Sequence, residues 1–320
     1  MTTEAELLSI RSEVKRPDDF DAFWDATLAE LASIQPEWER ADEPGLAAPG
    51  HDIFTLRMES LGGSPIYGWL AVPKGAQGPL PGYLWLPGYS LGNPPPGPES
   101  LYDGVVTLGL NVHGNQPDTP YIHPSVQGRE YITTGIGSPW TYIYRNIAAH
   151  CIRAFEVLSL QPEVDPGRVL AGGMSQGGGL ALIVASLLGE RVRLCFADMP
   201  WLCDLDRALS LIDRERYRRQ QRVPDGRYYI QEYAETHPDQ AQAVFRTYRY
   251  FDPLSHASRI VTPTQMSAGG RDPSCRPPTI YGVFNELNCV KEIQYLPTTG
   301  HEIVPKMWEA HANWLHSRLQ

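Results

Sequence analysis

The sequence predicts an α/β fold: a mostly parallel central sheet with helices on both faces and a small helical insertion. Short apolar segments alternate with helical segments through much of the second half of the chain, which is the pattern of a parallel sheet covered by helices. Several extended segments follow one another in the first half, so the sheet is expected to start with antiparallel strands. A polar, aromatic stretch over residues 200–256 interrupts the alternation and is interpreted as the insertion.

The first half begins with a helix and continues with strands. Phe20, Phe23, Trp24, Leu28 and Leu31 recur at spacings of three and four, which predicts an amphipathic helix over residues 18–34. Glycine, proline or asparagine bounds the extended segments that follow, as expected of strands joined by turns. These predicted strands cover residues 52–58, 66–72, 82–86 and 105–112.

In the second half, helices and strands alternate. The predicted helices cover residues 142–158, 177–188, 279–287 and 305–315, and the predicted strands cover residues 168–172, 194–197, 264–268 and 292–296. Gly189 follows the second of these helices at a position suited to a left-handed cap. With 320 residues, of which 42% are hydrophobic, the chain is expected to form one domain over residues 1–320.

The composition argues against a nucleic acid or a membrane as a partner of the protein. The chain carries 27 basic and 37 acidic side chains, and its formal net charge of −10 argues against a nucleic-acid partner. The longest apolar stretch, residues 179–188, is far shorter than the roughly 20 residues that cross a membrane. The first residues include acids and lack the basic and apolar regions of a signal peptide, so a cytoplasmic location is expected.

No motif for a metal or a cofactor is found. The chain has five cysteines: Cys151, Cys195, Cys203, Cys275 and Cys289. They form no CxxC pair and no zinc-ligand spacing, so they are predicted to be free thiols in a reducing compartment. His113, Asp118 and His123 lack the tight spacing of a metal site, and no phosphate-binding or dinucleotide fingerprint is present. The protein is therefore expected to work without a cofactor or a metal.

The strongest chemical signal is a G-x-S-x-G motif with Ser175 at its centre. The strand 168–172 leads into the motif and the helix 177–188 leads out of it, which is the setting of a nucleophile elbow. Gly173 and Gly177 would let the strand and the helix approach closely. Ser175 is therefore the predicted nucleophile, and the backbone N–H of Gln176 is predicted to face a developing oxyanion.

A serine nucleophile needs a general base and an acid that orients the base. In this architecture the acid precedes the histidine along the chain. His301 lies between a predicted strand and the last helix and is the predicted base, whereas His311 and His316 lie within that helix and are interpreted as surface or packing residues. Asp272 is the preferred acid because it comes one strand before His301, and Asp198, which also follows a strand, is the alternative.

The second oxyanion donor is expected on the loop after an early strand. The apolar strand 82–86 is followed by Pro87, Gly88 and Tyr89. The backbone N–H of Tyr89 is the predicted donor, and its ring is expected to wall the pocket.

Several phrases of the sequence recur together in one known family. They are Gly173-Met174-Ser175-Gln176-Gly177-Gly178, His301-Glu302, Asp272 followed by Pro277-Pro278, Gly88-Tyr89, the segment Pro17 to Trp24, Asp198 to Cys203, and Tyr250-Phe251-Asp252-Pro253. On these residues the chain resembles the acetyl xylan esterase/cephalosporin C deacetylase family, carbohydrate esterase family seven, over nearly its whole length. The resemblance implies an α/β-hydrolase that cleaves acetyl groups from sugars or related small esters, and a closed homohexamer with its active sites facing an internal chamber.

One motif departs from that family. Where the family carries Arg-Gly-Gln after an early strand, this chain has His113-Gly114-Asn115-Gln116. Histidine lacks the fixed charge and the planar fork of five donors that arginine provides. We expect this difference to affect the pocket rim and the substrate preference, and to leave the triad in place.

Two other functions are compatible with parts of the sequence. A serine peptidase of prolyl-oligopeptidase type shares the elbow and the triad, but such enzymes normally carry a propeller domain, for which 320 residues leave no room. A non-catalytic binding protein on a hydrolase fold is the other alternative, and the complete triad argues against it. The arginine-rich and tyrosine-rich stretch over residues 214–229 is interpreted as a solvated or subunit-contacting face of the insertion, with a nucleic-acid patch as the alternative.

Overall fold

The chain folds around a nine-stranded sheet. The computed structural model describes residues 3–43, 45–63, 65–89, 92, 94–98, 100–112, 131–213 and 226–319. The strands are β1 (Trp38–Asp42), β2 (His51–Met58), β3 (Ile66–Pro73), β4 (Leu80–Leu86), β5 (Val106–Leu110), β6 (Val164–Met174), β7 (Cys195–Asp198), β8 (Thr264–Gly269) and β9 (Lys291–Leu296).

Helices pack around the sheet. Those that the structure describes are α1 (Glu4–Leu8), α2 (Phe20–Ser33), α3 (Ile143–Ser159), α4 (Gln176–Leu188), α5 (Leu205–Ser210), α6 (Arg227–Thr236), α7 (Ala241–Tyr248), α8 (Pro253–His256), α9 (Pro277–Glu286) and α10 (Pro305–Arg318). The stretch interpreted as an insertion contains α5 to α8. No helix of the described ranges is long and apolar enough to cross a membrane.

The strand order explains where a site can form. The order is β1-β2-β3-β5-β4-β6-β7-β8-β9, with antiparallel pairing from β1 to β5 and parallel pairing from β5 onward. The carboxyl ends of the parallel strands lie at one edge, so the loops that follow β4, β6, β7, β8 and β9 meet there. The predicted fold class and the antiparallel start are both confirmed.

Side chains of each central strand alternate between two hydrophobic clusters. Leu84 and Leu86 of β4 pack into the larger cluster with residues of α2, α3 and α4. Tyr83 and Trp85 of the same strand pack on the opposite face, together with Trp314 of α10. Because successive strand residues point to opposite faces, helices cover both faces of the sheet, as predicted.

The differences from the predicted elements concern short or exposed segments. α1 has five residues, which is too few for a helical period to be recognised, and β1 is a polar edge strand with mostly exposed or half-buried side chains. Gly189 ends α4 with a positive φ of 56°, but its ψ of −128° lies outside the left-handed region that was predicted for the cap. The five cysteines are free thiols as predicted, and all except the half-buried Cys289 are buried.

Two buried ionisable residues of the insertion respond to pH in opposite ways. Burial raises the pKa of Asp252 to about 7, although its carboxylate accepts hydrogen bonds from three backbone N–H groups. Burial lowers the pKa of His256 to about 3. Because the folded state keeps His256 neutral, its contribution to the free energy of unfolding is fully present above its ordinary pKa of about 6.5 and is lost as the pH falls. Stability from a protonated Asp252 is present below about 3.9 and is lost as the pH rises toward the folded-state pKa.

We expect these two dependences to oppose each other at pH values near 5. One proton changes the free energy of unfolding by about 1.4 kcal/mol per pH unit. His256→Gln should lower the slope of this free energy against pH by about that amount, and Asp252→Asn should raise it equally. Urea unfolding between about pH 4.5 and 6.5 measures the slopes, and equal slopes in the parent and both variants would contradict the prediction.

Candidate active site

Ser175 lies on a sharp turn between β6 and α4. Its φ of 61° and ψ of −121° form a strained conformation that is rare for residues other than glycine. The turn is held on both sides: the Ser175 N–H donates to the carbonyl of Asp198 at 2.9 Å, and the Ser175 carbonyl accepts from the N–H of Trp201 at 2.8 Å. The strand–turn–helix arrangement of a nucleophile elbow is present, with Ser175 as the N-cap residue of α4.

Two glycines allow the elbow to form against the end of β4. A Cβ atom at Gly173 would lie 2.2 Å from the carbonyl oxygen of Leu86, and a Cβ atom at Gly177 would lie 1.9 Å from the same oxygen. Both distances are far below any allowed contact, so these positions exclude a side chain. The prediction that the glycines permit a close approach of strand and helix is confirmed.

His301 and Asp272 form an acid–base pair at the same edge of the sheet. His301 Nδ1 and Asp272 Oδ2 are 2.6 Å apart, and Asp272 Oδ1 accepts the backbone N–H groups of Ser274 and Cys275, each at 2.8 Å. An ionised carboxylate only accepts hydrogen bonds, so Nδ1 of His301 carries the proton. Nε2 is then the unprotonated nitrogen that a general base requires.

The loops after β8 and β9 bring this pair together. The N–H of Arg271, beside Asp272, donates to the carbonyl of Thr299 at 2.9 Å. A Cβ atom at Gly270 would lie 2.5 Å from the carbonyl oxygen of Pro297, so glycine is needed for the two loops to touch. His301 follows directly on the second loop and is thereby held over Asp272.

Ser175 and His301 line the same cavity, which has a volume of about 450 Å³. Trp85, Trp201 and Trp308 contribute aromatic walls to it. Neither Ser175 Oγ nor His301 Nε2 is hydrogen-bonded to another residue of the described ranges. Catalytic hydrogen bonds are often long without substrate and shorten in the substrate complex, so the common position of these two residues in one cavity is compatible with proton transfer between Ser175 and His301.

Asp198, the alternative acid, is bound to a different histidine. Its Oδ2 lies 3.3 Å from Nε2 of His311, and Nδ1 of His311 is 2.7 Å from the hydroxyl of Tyr102. His311 is buried, so of the two interpretations, surface or packing residue, the structure supports packing. The structure brings His301 together with Asp272, and Asp198 with His311.

The two predicted oxyanion donors lie on either side of the elbow. Tyr89 follows β4 and Gly88, and it lines the cavity as expected. Gln176 follows Ser175 at the start of α4, and its backbone N–H meets no acceptor among the described residues. Their roles as donors stay predictions.

Sequence reasoning missed two tyrosines behind these donors. Tyr131 and Tyr144 are buried, and both hydroxyls donate to Oε1 of Gln176 at 2.7 Å. The ring of Tyr131 also stacks on the ring of Tyr89, with centroids 4.2 Å apart. In the sequence both residues look like ordinary core aromatics, and no signal distinguishes them.

For Arg227, the interpretation of residues 214–229 as a solvated or subunit-contacting face is wrong. Arg227 is fully buried and donates to the carbonyls of Cys203 at 2.6 Å and Ser274 at 3.1 Å. Because Ser274 also donates to Asp272, this arginine ties the insertion to the acid loop. The arginines of residues 214–222 lie outside the described residues, as do His113-Gly114-Asn115-Gln116, Asp118 and His123.

One cluster at the site has the spacing of metal ligands. The ligand atoms of Asp272, Cys275 and His301 lie within 4.8 Å of one another. Both oxygens of Asp272 already accept hydrogen bonds, one from His301 and the other from two backbone N–H groups. We therefore interpret the cluster as an acid–base pair with a neighbouring thiol.

Comparisons with known proteins agree on one family. The chain matches the acetyl xylan esterase (AXE1) family over residues 3–318. Acetyl esterase Axe7A of Xylanibacter ruminicola is 27% identical over 331 residues, which cover 97% of this chain and 69% of that protein.

Solved structures support the same relationship. An acetyl xylan esterase from Paenibacillus sp. R4 has a TM-score of 0.86 at 28% identity, covering 99% of this chain and 100% of that chain. Acetyl xylan esterase 1 from Thermoanaerobacterium sp. JW/SL YS485 has the same fold, with a TM-score of 0.85 at 24% identity over 100% of this chain and 99% of that chain. Because the family match spans nearly the whole chain, the protein belongs to the acetyl xylan esterase family and is a hydrolytic carboxylesterase.

Proposed function

We propose that the protein is a serine esterase that removes acetyl groups from sugars of the xylo-oligosaccharide type, or from related small esters such as cephalosporin C. The observation that carries this proposal is the 2.6 Å hydrogen bond between His301 and Asp272, because His301 lines the same cavity as the strained Ser175. Membership of the acetyl xylan esterase family and the names of the relatives support acetyl as the acyl group.

Acylation follows from the positions of these groups. Ser175 Oγ attacks the ester carbonyl carbon while Nε2 of His301 takes the hydroxyl proton. The N–H groups of Tyr89 and Gln176 stabilise the oxyanion of the tetrahedral intermediate. The carbon–oxygen bond to the sugar then breaks, and His301 returns the proton to the departing sugar oxygen.

Deacylation repeats the same steps with water. His301 removes a proton from water as its oxygen attacks the acetyl carbon on Ser175, and the bond to Oγ breaks as the proton returns to Oγ. Acetate leaves and the serine is restored. Asp272 holds the imidazole in the tautomer with a proton on Nδ1 and stabilises the imidazolium formed in each half of the reaction.

The two alternative functions, a serine peptidase and a non-catalytic binding protein, predict different experimental results from an esterase. An esterase should hydrolyse nitrophenyl acetate and leave a peptide anilide intact, whereas a peptidase should cleave the anilide. A binding protein should do neither and should resist labelling by a fluorophosphonate. The rates of hydrolysis of acetylated xylo-oligosaccharides and of cephalosporin C would then show which of these two substrate classes is preferred. Nitrophenyl esters of increasing acyl length would show which acyl groups are accepted.

The closed homohexamer and the cytoplasmic location belong to the same proposal. The hexamer is supported by the resemblance of the sequence motifs to a family with that assembly. An internal chamber of this kind would favour short oligosaccharides over the polymer. The molecular mass of the purified protein, measured by light scattering, tests the assembly. The mass of a monomer would contradict the hexamer and its internal chamber.

A further inference from the structure

The two predicted oxyanion donors are linked by one buried side chain. We propose that Tyr131 is the positioning residue that sets the spacing between the N–H groups of Tyr89 and Gln176. This inference rests on the proposed function, because it assumes that both N–H groups hold the oxyanion.

On one side, Tyr131 restrains Gln176. Its hydroxyl donates to Gln176 Oε1 at 2.7 Å, and the Gln176 side chain is fully buried. Nε2 of the same amide has no partner in the described part of the chain, so the contacts to Oε1 hold the side chain. A fixed side chain in turn holds the first peptide of α4, which carries the proposed donor.

On the other side, the same residue restrains Tyr89. The two rings stack with centroids 4.2 Å apart and an angle of 17° between their planes. The hydroxyl of Tyr89 accepts the backbone N–H of Ile132 at 3.3 Å, and Trp201 packs edge-on against the Tyr89 ring at 4.9 Å. The short turn that begins at Tyr131 therefore holds Tyr89 through both its ring and its hydroxyl.

This link matters because Gly88, directly before Tyr89, places little restraint on the backbone. Gly88 has no Cβ atom, and β4 already ends at Leu86. The direction of the Tyr89 N–H then depends on where its ring is anchored. Oxyanion donors act only within about 2.7–3.1 Å of the developing charge, and misplacement by about 1 Å can cost roughly 10²-fold in rate.

Tyr144 provides a matched control. It donates to the same Gln176 Oε1 at the same 2.7 Å and is equally buried. Among the described ring contacts it packs on Tyr131 and Tyr142, and not on Tyr89. Removing its hydroxyl thus takes away one hydrogen bond to Gln176 without touching the stack on Tyr89.

The test compares Tyr131→Leu, Tyr131→Phe and Tyr144→Phe in the full-length enzyme with nitrophenyl acetate. Tyr131→Leu should lower kcat about 30-fold with KM changed by less than about threefold, because the ground-state ester does not use the oxyanion donors. It should weaken binding of an aryl trifluoromethyl ketone, which forms an oxyanion on Ser175, by about the same factor. Tyr131→Phe keeps the stack and should restore kcat to within about fivefold, and Tyr144→Phe should stay within about threefold.

A second variant, at Tyr89, removes the same ring stack by replacing its other member. Tyr89→Leu should also lower kcat and ketone affinity. The double variant with Tyr131→Leu should lower kcat by about the larger of the two single effects, because both substitutions remove the same ring stack. If Tyr131→Leu does not fold, Tyr89→Leu alone decides: unchanged kcat and ketone affinity overturn the proposal. Independent, additive losses or an effect confined to KM also overturn it.

Failure of the positioning role is distinguishable from failure of the esterase assignment. A parent protein that neither hydrolyses nitrophenyl acetate nor reacts with a fluorophosphonate at Ser175 would overturn the proposed function. A parent that does both, with leucine variants that keep kcat and ketone affinity, would overturn only the role of Tyr131.

Discussion

Replacing Ser175 by alanine is expected to lower kcat for nitrophenyl acetate by about 10⁶ while the fold stays intact. The loss is large because no other group can form the acyl-enzyme in the arrangement that His301 and the elbow provide. The fold should survive because alanine is slightly smaller than serine and keeps both backbone hydrogen bonds of the turn, to Asp198 and from Trp201. Steady-state hydrolysis, with a thermal melt of the same sample, measures both parts.

A second serine of the cavity wall provides the control. Ser274→Ala should keep kcat within about tenfold, because its backbone N–H, which Asp272 accepts, is retained in alanine. Neither variant changes the net charge or the volume of the cavity much, so the comparison isolates the nucleophile. A folded Ser175→Ala variant with more than about 5% of parental activity would remove Ser175 from the mechanism.

The parts of the site that could be predicted from the sequence are those that a contiguous motif or the order of elements along the chain determines. The elbow is a contiguous strand, turn and helix, and the glycines at 173 and 177 report directly on the close approach that the structure shows. The choice of Asp272 over Asp198 needed only the chain order of strands and loops. In the structure His301 is hydrogen-bonded to Asp272, and the role of Asp272 as the orienting acid stays a prediction.

Contacts between distant segments could not be predicted in this way. The hydroxyl of Tyr131 reaches Gln176 45 positions further along the chain, and the guanidinium of Arg227 reaches Cys203 and Ser274. Periodicity and turn signals identify elements but do not say which side chains meet when the elements pack. A buried arginine that satisfies two carbonyls therefore looks, in the sequence, like one more charge of a polar stretch.

Asp272→Asn is expected to lower kcat by about 10⁴ with little loss of stability. The two backbone N–H groups of Ser274 and Cys275 both point at Oδ1, so the amide oxygen must occupy that place. The amide NH₂ then faces His301 Nδ1, which can only accept from it, and the imidazole proton moves to Nε2. In this tautomer His301 cannot take the proton of Ser175. Hydrolysis of nitrophenyl acetate and the rate of fluorophosphonate labelling should fall together.

Asp198→Asn is the matched comparison, since it makes the same change in a second buried aspartate, and Asp198 lines the cavity directly. Oδ1 of Asp198 accepts the hydroxyl of Ser267 at 2.7 Å, and a hydroxyl can rotate to accept from an amide instead. Its other partner is His311, which does not contact Ser175 or Asp272 through any described hydrogen bond. We therefore expect a loss of less than about tenfold in kcat. The reverse order of the two losses, in folded variants, would transfer the role of the orienting acid from Asp272 to Asp198.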